Sequence, residues 1–280
     1  MALKSISDTE YAEFVQLVYD LTGIILDNSK KYLIETRIGP IIQEQGLGSY
    51  GELLQKIRLP TNAFFKELVI DAITTNETFF FREPCAIDLL RRRLMPPILD
   101  SITEGKRRDS MRIWSAACSS GQEMYSIAIS AMEFIGDLAT QYISLDGTDI
   151  SEQILAKASM GVYSQFEVNR GLNATHLSKY FTPHSQGYKI NDNIRAMCRF
   201  NKANLLRLAP SPVRYDVIFC RNVSIYFGAK EREVLFRSLG ERLVPNGVLI
   251  VGATEQVRDC DDLYSLEKDF PGCFYYRRRH

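Results

Sequence analysis

The chain has 280 residues, 45% of them hydrophobic and 24% charged, the balance of a globular protein with room for one large domain and a smaller one. Lys plus Arg and Asp plus Glu both total 34, so global charge points to neither nucleic acid nor membrane insertion, and any recognition by charge must be local. No apolar run approaches the ~18–20 residues of a membrane span. Met1 to Asp8 lacks the basic and apolar regions of a secretion signal, so a cytoplasmic location is expected.

In chain order, the first ninety or so residues read as helical. Tyr11, Phe14, Val15 and Val18 are spaced for a helix over Glu10 to Asp20, and Leu33, Ile34, Ile38 and Ile41 for one over Ser29 to Gln45, stopped by Gly46 and Gly48. Ser49 to Ile57 and Ala63 to Ile73 predict two more, and Pro84 to Leu94 another. The polar stretch Thr103 to Ser110 is the candidate boundary zone. Beyond it strands (Met111 to Ala117, Tyr142 to Asp149, Arg214 to Cys220, Val248 to Val251) alternate with helices (Gln122 to Phe134, Ser151 to Ser159, Lys230 to Leu243). That alternation implies an α/β domain with a parallel sheet covered on both faces. Two strand-like runs around Pro271-Gly272 predict a terminal hairpin.

The six cysteines (Cys85, Cys118, Cys198, Cys220, Cys260, Cys273) form no C-x-x-C pair, which suits reduced, buried thiols. The histidines His176, His184 and His280 lack metal-ligand spacing, and no metal is expected.

Four segments carry candidate chemistry. Ile113 to Glu123 ends a strand in small residues and opens a helix, which lets a ligand approach backbone at the carboxyl edge of the sheet. Glu123 there suits an ammonium or sulfonium better than a phosphate, although Ser120 and Glu123 also have the spacing of a helix-capping box. Asp149, ending the second strand, can accept from the two ribose hydroxyls of a nucleoside or cap the following helix. In Thr74 to Pro84 three consecutive aromatics, Phe79 to Phe81, cannot all face one side. Asn76 and Thr78 offer donors and acceptors, and Arg82 can clamp a carboxylate; a packed interdomain linker is the alternative. Phe219 to Phe227 places Arg221 and Asn222 directly after an apolar strand, with Tyr226 either at the site or in the core.

These segments, T-T-N-E-T-F-F-F-R-E-P, W-S-A-A-C-S-S-G-Q-E-M-Y-S-I-A, G-T-D-I-S, N-L-L and F-C-R-N-V-S-I-Y-F, resemble in order and spacing the chemotaxis receptor glutamate O-methyltransferases, the CheR family. The resemblance runs through essentially the whole chain. It implies a small all-helical N-terminal domain (1–88, with the linker motif) before a Rossmann-like S-adenosylmethionine-dependent methyltransferase domain (89–280). That domain would carry a small inserted beta subdomain within 162–200 and a terminal antiparallel hairpin. It further implies cofactor contacts at Asn76, Thr78, Arg82, Glu123, Asp149, Asn204, Leu205, Arg221 and Asn222. Glu123 would serve the methionine portion, Asp149 the ribose, and Asn204 and Leu205 the adenine. Arg82 and Tyr226 are the candidates for orienting an acceptor glutamate. The product would be S-adenosylhomocysteine, and the partners the cytoplasmic helical domains of methyl-accepting chemotaxis receptors.

Three departures stand out. Met124 replaces the family's proline after the glutamate. The second helix, basic in the family, here carries only Lys30, Lys31 and Arg37, diluted by Glu35 and Glu44. The loop Thr182 to Tyr188 is shorter and poorer in glycine than in members that bind a receptor-tethering pentapeptide, so pentapeptide independence is expected. A different protein acceptor and a non-catalytic, cofactor-bound adaptor are the competing readings.

Overall fold

Apolar residues three and four apart shape the amino-terminal region. Helices α1 (Asp8–Thr22), α2 (Lys31–Glu44), α3 (Tyr50–Arg58) and α4 (Ala63–Ile73) bury Phe14, Val18, Ile34, Ile38, Ile42, Leu53, Ile57 and Val69 against one another. Ser7 starts α1 with a complete capping box to Glu10, and Gly23 ends it. The computed structural model describes residues 4–59 and 61–279; Met1 and His280, named above, lie outside them.

After an irregular segment the chain enters α5 (Pro84–Leu89), a π turn (Leu90–Leu94) and α6 (Met95–Thr103). The helix expected over Pro84 to Leu94 therefore continues to Thr103. Pro96 and Pro97 cannot donate to an α ladder, and the π turn absorbs the register change while α6 begins around them.

The rest alternates. In order come β1 (Met111–Ala116), α7 (Gln122–Ile135), α8 (Ala139–Tyr142), β2 (Ile143–Asp149) and α9 (Glu152–Met160). Then follow β3 (Val162–Tyr163), α10 (Gln165–Asn169), α11 (Ala174–Tyr180), β4 (Phe181–His184), β5 (Gly187–Ile190) and α12 (Asp192–Ala196). The chain closes with β6 (Cys198–Lys202), β7 (Tyr215–Cys220), α13 (Ala229–Glu241), β8 (Leu243–Val251), β9 (Tyr264–Phe270) and β10 (Cys273–Arg278).

Seven strands form one sheet in the order β6-β2-β1-β7-β8-β10-β9, and β3-β5-β4 form the small inserted sheet. Strands β6, β2, β1, β7 and β8 run parallel, and β10 turns antiparallel between β8 and β9. From β1 the chain first winds outward through β2 to β6 and then returns to β7, so a switch point opens beside the end of β1. Two-residue alternation divides the core. Ile113, Val217, Phe219 and Ile250 face one helical layer, and Trp114, Ile218, Leu249 and Val251 the other.

Two features of the sheet are absent from the sequence pattern. Cys198–Lys202, too mixed in polarity to read as a strand, pairs parallel with β2. Strand β8 begins five residues before Val248, and Asn246-Gly247 is part of an irregularity within it: Tyr215 pairs with Leu243, yet Val217 pairs with Val248.

Candidate functional site

The register of the parallel strands sets the carboxyl edge level. Ala116 lies opposite Thr148, Ser115 opposite Phe219, and Phe219 opposite Ile250. Above this edge, against the segment between α4 and α5, is a cleft with about 1050 Å³ of space, partly open to solvent. Its lining mixes polar and apolar side chains, as a nucleoside joined to an amino acid requires. Asn76, Thr78, Arg82, Glu123, Asp149, Asn204, Leu205, Arg221, Asn222 and Tyr226, drawn from five separate stretches of sequence, all line it.

One wall is the sheet edge. The turn after β1 places Ala117 and Ser119 at positive φ (63° and 49°), and Gly121 at 89° starts α7. In this geometry the Ser119 N–H donates to Asp149 Oδ2 at 2.9 Å, while the Ser151 N–H donates to Oδ1 at 3.1 Å. Asp149 is therefore not the cap of α9; Ser151 is, accepting from the Ile154 N–H. Burial pushes the Asp149 carboxyl above the ordinary aspartate range, opposed by hydrogen bonds from the N–H groups of Ser151, Ser119 and Ile150.

The capping-box alternative for Ser120 and Glu123 is also overturned. Gly121 is the N-cap and makes no side-chain cap, and Ser120 Oγ is bonded to Gln122 Oε1 at 2.7 Å. Glu123 instead accepts from Ser115 Oγ at 2.7 Å and from Arg221 Nη1 at 2.8 Å. Arg221 sits between two acids. Its Nη2 lies 3.1 Å from Glu83 Oε2 and donates to the Arg82 carbonyl at 2.6 Å. Burial works against its charge, but Glu123 and Glu83 outweigh it and hold the guanidinium above its ordinary value. Glu83 would likewise be raised by burial, yet the Arg221 charge and hydrogen bonds hold it below the usual glutamate range.

The other wall is the linker. Phe80 is buried edge-on against Tyr163 (5.0 Å) and Phe181 (5.5 Å). Phe81, at φ 54°, stacks on His176 at 4.8 Å, and its N–H donates to Ser126 Oγ. Phe79 stays at the cleft beneath two guanidiniums, Arg170 at 4.7 Å and Arg82 at 5.6 Å. The three aromatics thus divide between core and cleft. Arg82 Nη1 also donates to the Glu77 carbonyl at 2.9 Å, and Arg170 pairs with the Glu77 carboxylate at 3.0 Å.

Polar contacts tie the helical region to this edge. Asn204 Nδ2 donates to the Leu21 carbonyl at 3.1 Å, Ser151 Oγ to Asp71 Oδ1 at 2.6 Å, and the Ile25 N–H to the Tyr226 carbonyl at 3.3 Å. Arg37, expected on a docking face, is turned inward: Nη1 donates to the carbonyls of Ala72, Ile73 and Thr74 at the end of α4. Those carbonyls have no helical partner, and a cation suits the negative end of the helix dipole. Lys31 is paired with Asp8 at 2.7 Å.

Two residues behind the cleft, in contact with its lining, carry no role in the sequence pattern. Glu83 lay inside the linker motif but outside the set of named contacts. Glu255 lies beyond β8 in a stretch with no recognisable pattern. The backbone also held a signal that residue types do not show. Among the described residues seven non-glycines have positive φ, and Phe81, Glu83, Ala117, Ser119 and Asn222 are five of them. Such strain collects where a site requires it.

The residues present fit a sulfonium nucleoside. Asp149 has lone pairs left for hydroxyl donors, Ile24, Ile150, Leu205 and Phe227 supply apolar wall, and Arg221 brings a buried guanidinium to the cleft whose Nε has no partner. A doubly wound sheet with a reversed terminal hairpin and such a cleft at its switch point define a Rossmann-like, S-adenosylmethionine-dependent methyltransferase.

Comparison with known proteins agrees with this class. The all-alpha domain of the CheR methyltransferases matches residues 9–74, and their S-adenosylmethionine-binding domain matches residues 76–270. Chemotaxis protein methyltransferase 1 of Pseudomonas aeruginosa is 35% identical over 277 residues, covering 97% of this chain and 98% of that protein. Chemotaxis protein methyltransferase Cher2 of Pseudomonas putida is 34% identical over 276 residues (97% and 98%). The chemotaxis protein methyltransferase of Vibrio parahaemolyticus is 33% identical over 280 residues (98% and 99%). This chain belongs to the CheR methyltransferase family.

Proposed function

We propose that the protein transfers a methyl group from S-adenosylmethionine to glutamate side chains of chemotaxis receptors, giving glutamate methyl esters in sensory adaptation. The observation that carries the reading is the convergence of ten residues from both walls on one cleft, with Arg82 and Tyr226 among them. The relatives named as chemotaxis protein methyltransferases supply the setting. The working division is a helical domain over 1–88 with its linker motif and a methyltransferase domain over 89–280.

When bound, S-adenosylmethionine supplies an electrophilic methyl on a sulfonium and leaves as S-adenosylhomocysteine. A glutamate carboxylate is already ionised at neutral pH, so the protein need not provide a strong base or a metal. Its work is alignment and exclusion of water. Asp149 accepts from the ribose hydroxyls, and Asn204 and Leu205 flank the adenine. Asn76, Thr78 and Asn222 complete the contacts from the linker and the loop after β7. Glu123 and Arg221 hold the methionine portion, the Arg221 guanidinium supplying the positive charge beside its carboxylate. Arg82 and Tyr226 orient the incoming carboxylate. Because Arg82 already donates to the Glu77 carbonyl and lies over Phe79, its charge is shared, which limits any loss of nucleophilicity in the acceptor.

Receptor helices dock through the Lys30 and Lys31 side of the amino-terminal helices; Arg37, committed to the end of α4, is withdrawn from that role. Pentapeptide independence is supported by the β4–β5 connection, where His184 pairs with Gly187 across only Ser185 and Gln186. Titration calorimetry showing tight pentapeptide binding would overturn that part.

The decisive assay offers labelled S-adenosylmethionine and purified receptor cytoplasmic domains to the full chain. Alkali-labile label on the receptor is the expected result. Base-stable label would remove the carboxyl ester, and its absence with receptor but presence on another protein would change the acceptor.

A further inference from the structure

Glu255, in the loop after β8, is 7% exposed and accepts five hydrogen bonds, all from neutral donors. Its Oε1 takes the N–H groups of Val223 (3.0 Å) and Ser224 (2.8 Å) and the Ser224 hydroxyl (2.7 Å). Its Oε2 takes the N–H groups of Asn222 (2.5 Å) and Gly252 (2.7 Å). Three consecutive N–H groups, at positions 222 to 224, thus converge on one carboxylate. A backbone concavity of this kind forms an anion nest. Here the anion is a side chain of the same protein.

The nest shapes the loop that carries Arg221, Asn222 and Tyr226, three of the residues in the cleft. Asn222 sits at φ 60°, a conformation that needs to be held in place. A Cβ at Gly252 would lie 2.7 Å from both Glu255 Oε2 and Asn222 Nδ2, so the glycine leaves room for the carboxylate to reach the loop. Without the carboxylate, several N–H groups would face each other with no acceptor, and the loop would rearrange to satisfy them.

We propose that Glu255 is a positioning residue for methyl transfer: an internal anion that moulds the loop after β7 so that Arg221 and Asn222 face the cofactor and Tyr226 faces the acceptor. This rests on the function proposed above. It deepens that function by placing a determinant of turnover beyond β8, where no motif lies.

The test compares full-length wild type with Glu255→Gln, Ser224→Ala and the exposed control Gln256→Ala. Each is assayed for melting temperature, for S-adenosylhomocysteine affinity by calorimetry, and for kcat and KM on receptor cytoplasmic domains well below the lowest melting temperature. Wild type that neither binds S-adenosylhomocysteine nor makes alkali-labile label overturns the functional reading itself; the ratios between variants and wild type judge Glu255. Glutamine keeps the volume but turns an N–H donor toward N–H donors. It is expected to lower kcat about 100-fold and S-adenosylhomocysteine affinity about 10-fold. Ser224→Ala, which removes one of the five donors, should lower kcat about three-fold, and Gln256→Ala should match wild type. A folded Glu255→Gln enzyme with only a lower melting temperature, and unchanged kcat and affinity, would overturn the proposal. If that variant does not fold, Ser224→Ala decides, and wild-type kcat there overturns it.

Discussion

The two walls of the cleft are built on different principles. The sheet wall takes its shape from strand register: once β1, β2, β7 and β8 are paired in parallel, Ser115, Asp149 and Arg221 are delivered to one edge by repeated backbone hydrogen bonds. The linker wall has no such ladder. Its residues 76–83 are held by individual long-range contacts, from Phe81 to Ser126, from Asn76 to Ser119, and from Glu83 to Arg221, Asn222 and Ala253. A wall built on register tolerates the loss of any one side chain in shape and loses only that side chain's chemistry. A wall built on single contacts loses shape with them.

Substitutions can break or sharpen this contrast. The largest effect is expected on the sheet side, where Asp149→Ala should weaken S-adenosylhomocysteine binding about 100-fold or more and, by leaving the Ser119 and Ser151 N–H groups without an acceptor, also lower the melting temperature while the sheet keeps its register. Calorimetry and thermal melting read both, and unchanged affinity would take Asp149 out of the ribose role. On the linker side Arg82→Ala should lower kcat about 30-fold with cofactor affinity changed less than about five-fold. If affinity alone collapses, Arg82 holds the cofactor's carboxylate and not the acceptor.

Gly171→Ala tests the linker wall's dependence on shape. Gly171 is at φ 95°, and a Cβ there would lie 1.8 Å from the Phe80 carbonyl oxygen. The substitution should cost about 2–3 kcal/mol of stability in denaturant unfolding, and kcat should fall because Phe79 and Arg82 move with Phe80. Stability lost without any loss of kcat would show the linker to be less coupled than its contacts suggest.

The smallest effect concerns pH. The Glu83 carboxyl is held below its usual range in the folded protein, by the Arg221 charge against the pull of burial. Its ionised form therefore adds stability above the ordinary glutamate value of 4.5, and that contribution is lost as the pH falls below 4.5 through the folded value. Glu83→Gln should melt lower than wild type at pH 6–7, and the gap should close towards pH 3. A gap independent of pH would mean that Glu83 acts by shape alone.

Much of this was legible in residue order. Helical spacing in Phe14, Val18, Ile34 and Ile38, and the continuous apolar run Val217 to Phe219, reflect which parts of each element are buried, and burial is a local pattern. The order of strands and helices then implied a parallel sheet whose carboxyl edge carries the site. Glu123 and Asp149 stood at that edge, although spacing left them divided between site and helix cap until Gly121 and Ser151 proved to be the caps.

Other roles depend on partners far away in the chain. Arg37 reads as a surface cation on an amphipathic helix, and only the approach of α4, thirty-five residues on, gives it three carbonyls to bind. Glu255 reads as a loop acid until β7 and β8 lie side by side and bring three N–H groups to it. Periodicity records which side chains leave water, and the motifs record which chemistry is available. Neither records which donor meets which acceptor across 138 residues, as Glu83 and Arg221 do, because that pairing exists only after the sheet has closed its register beneath them.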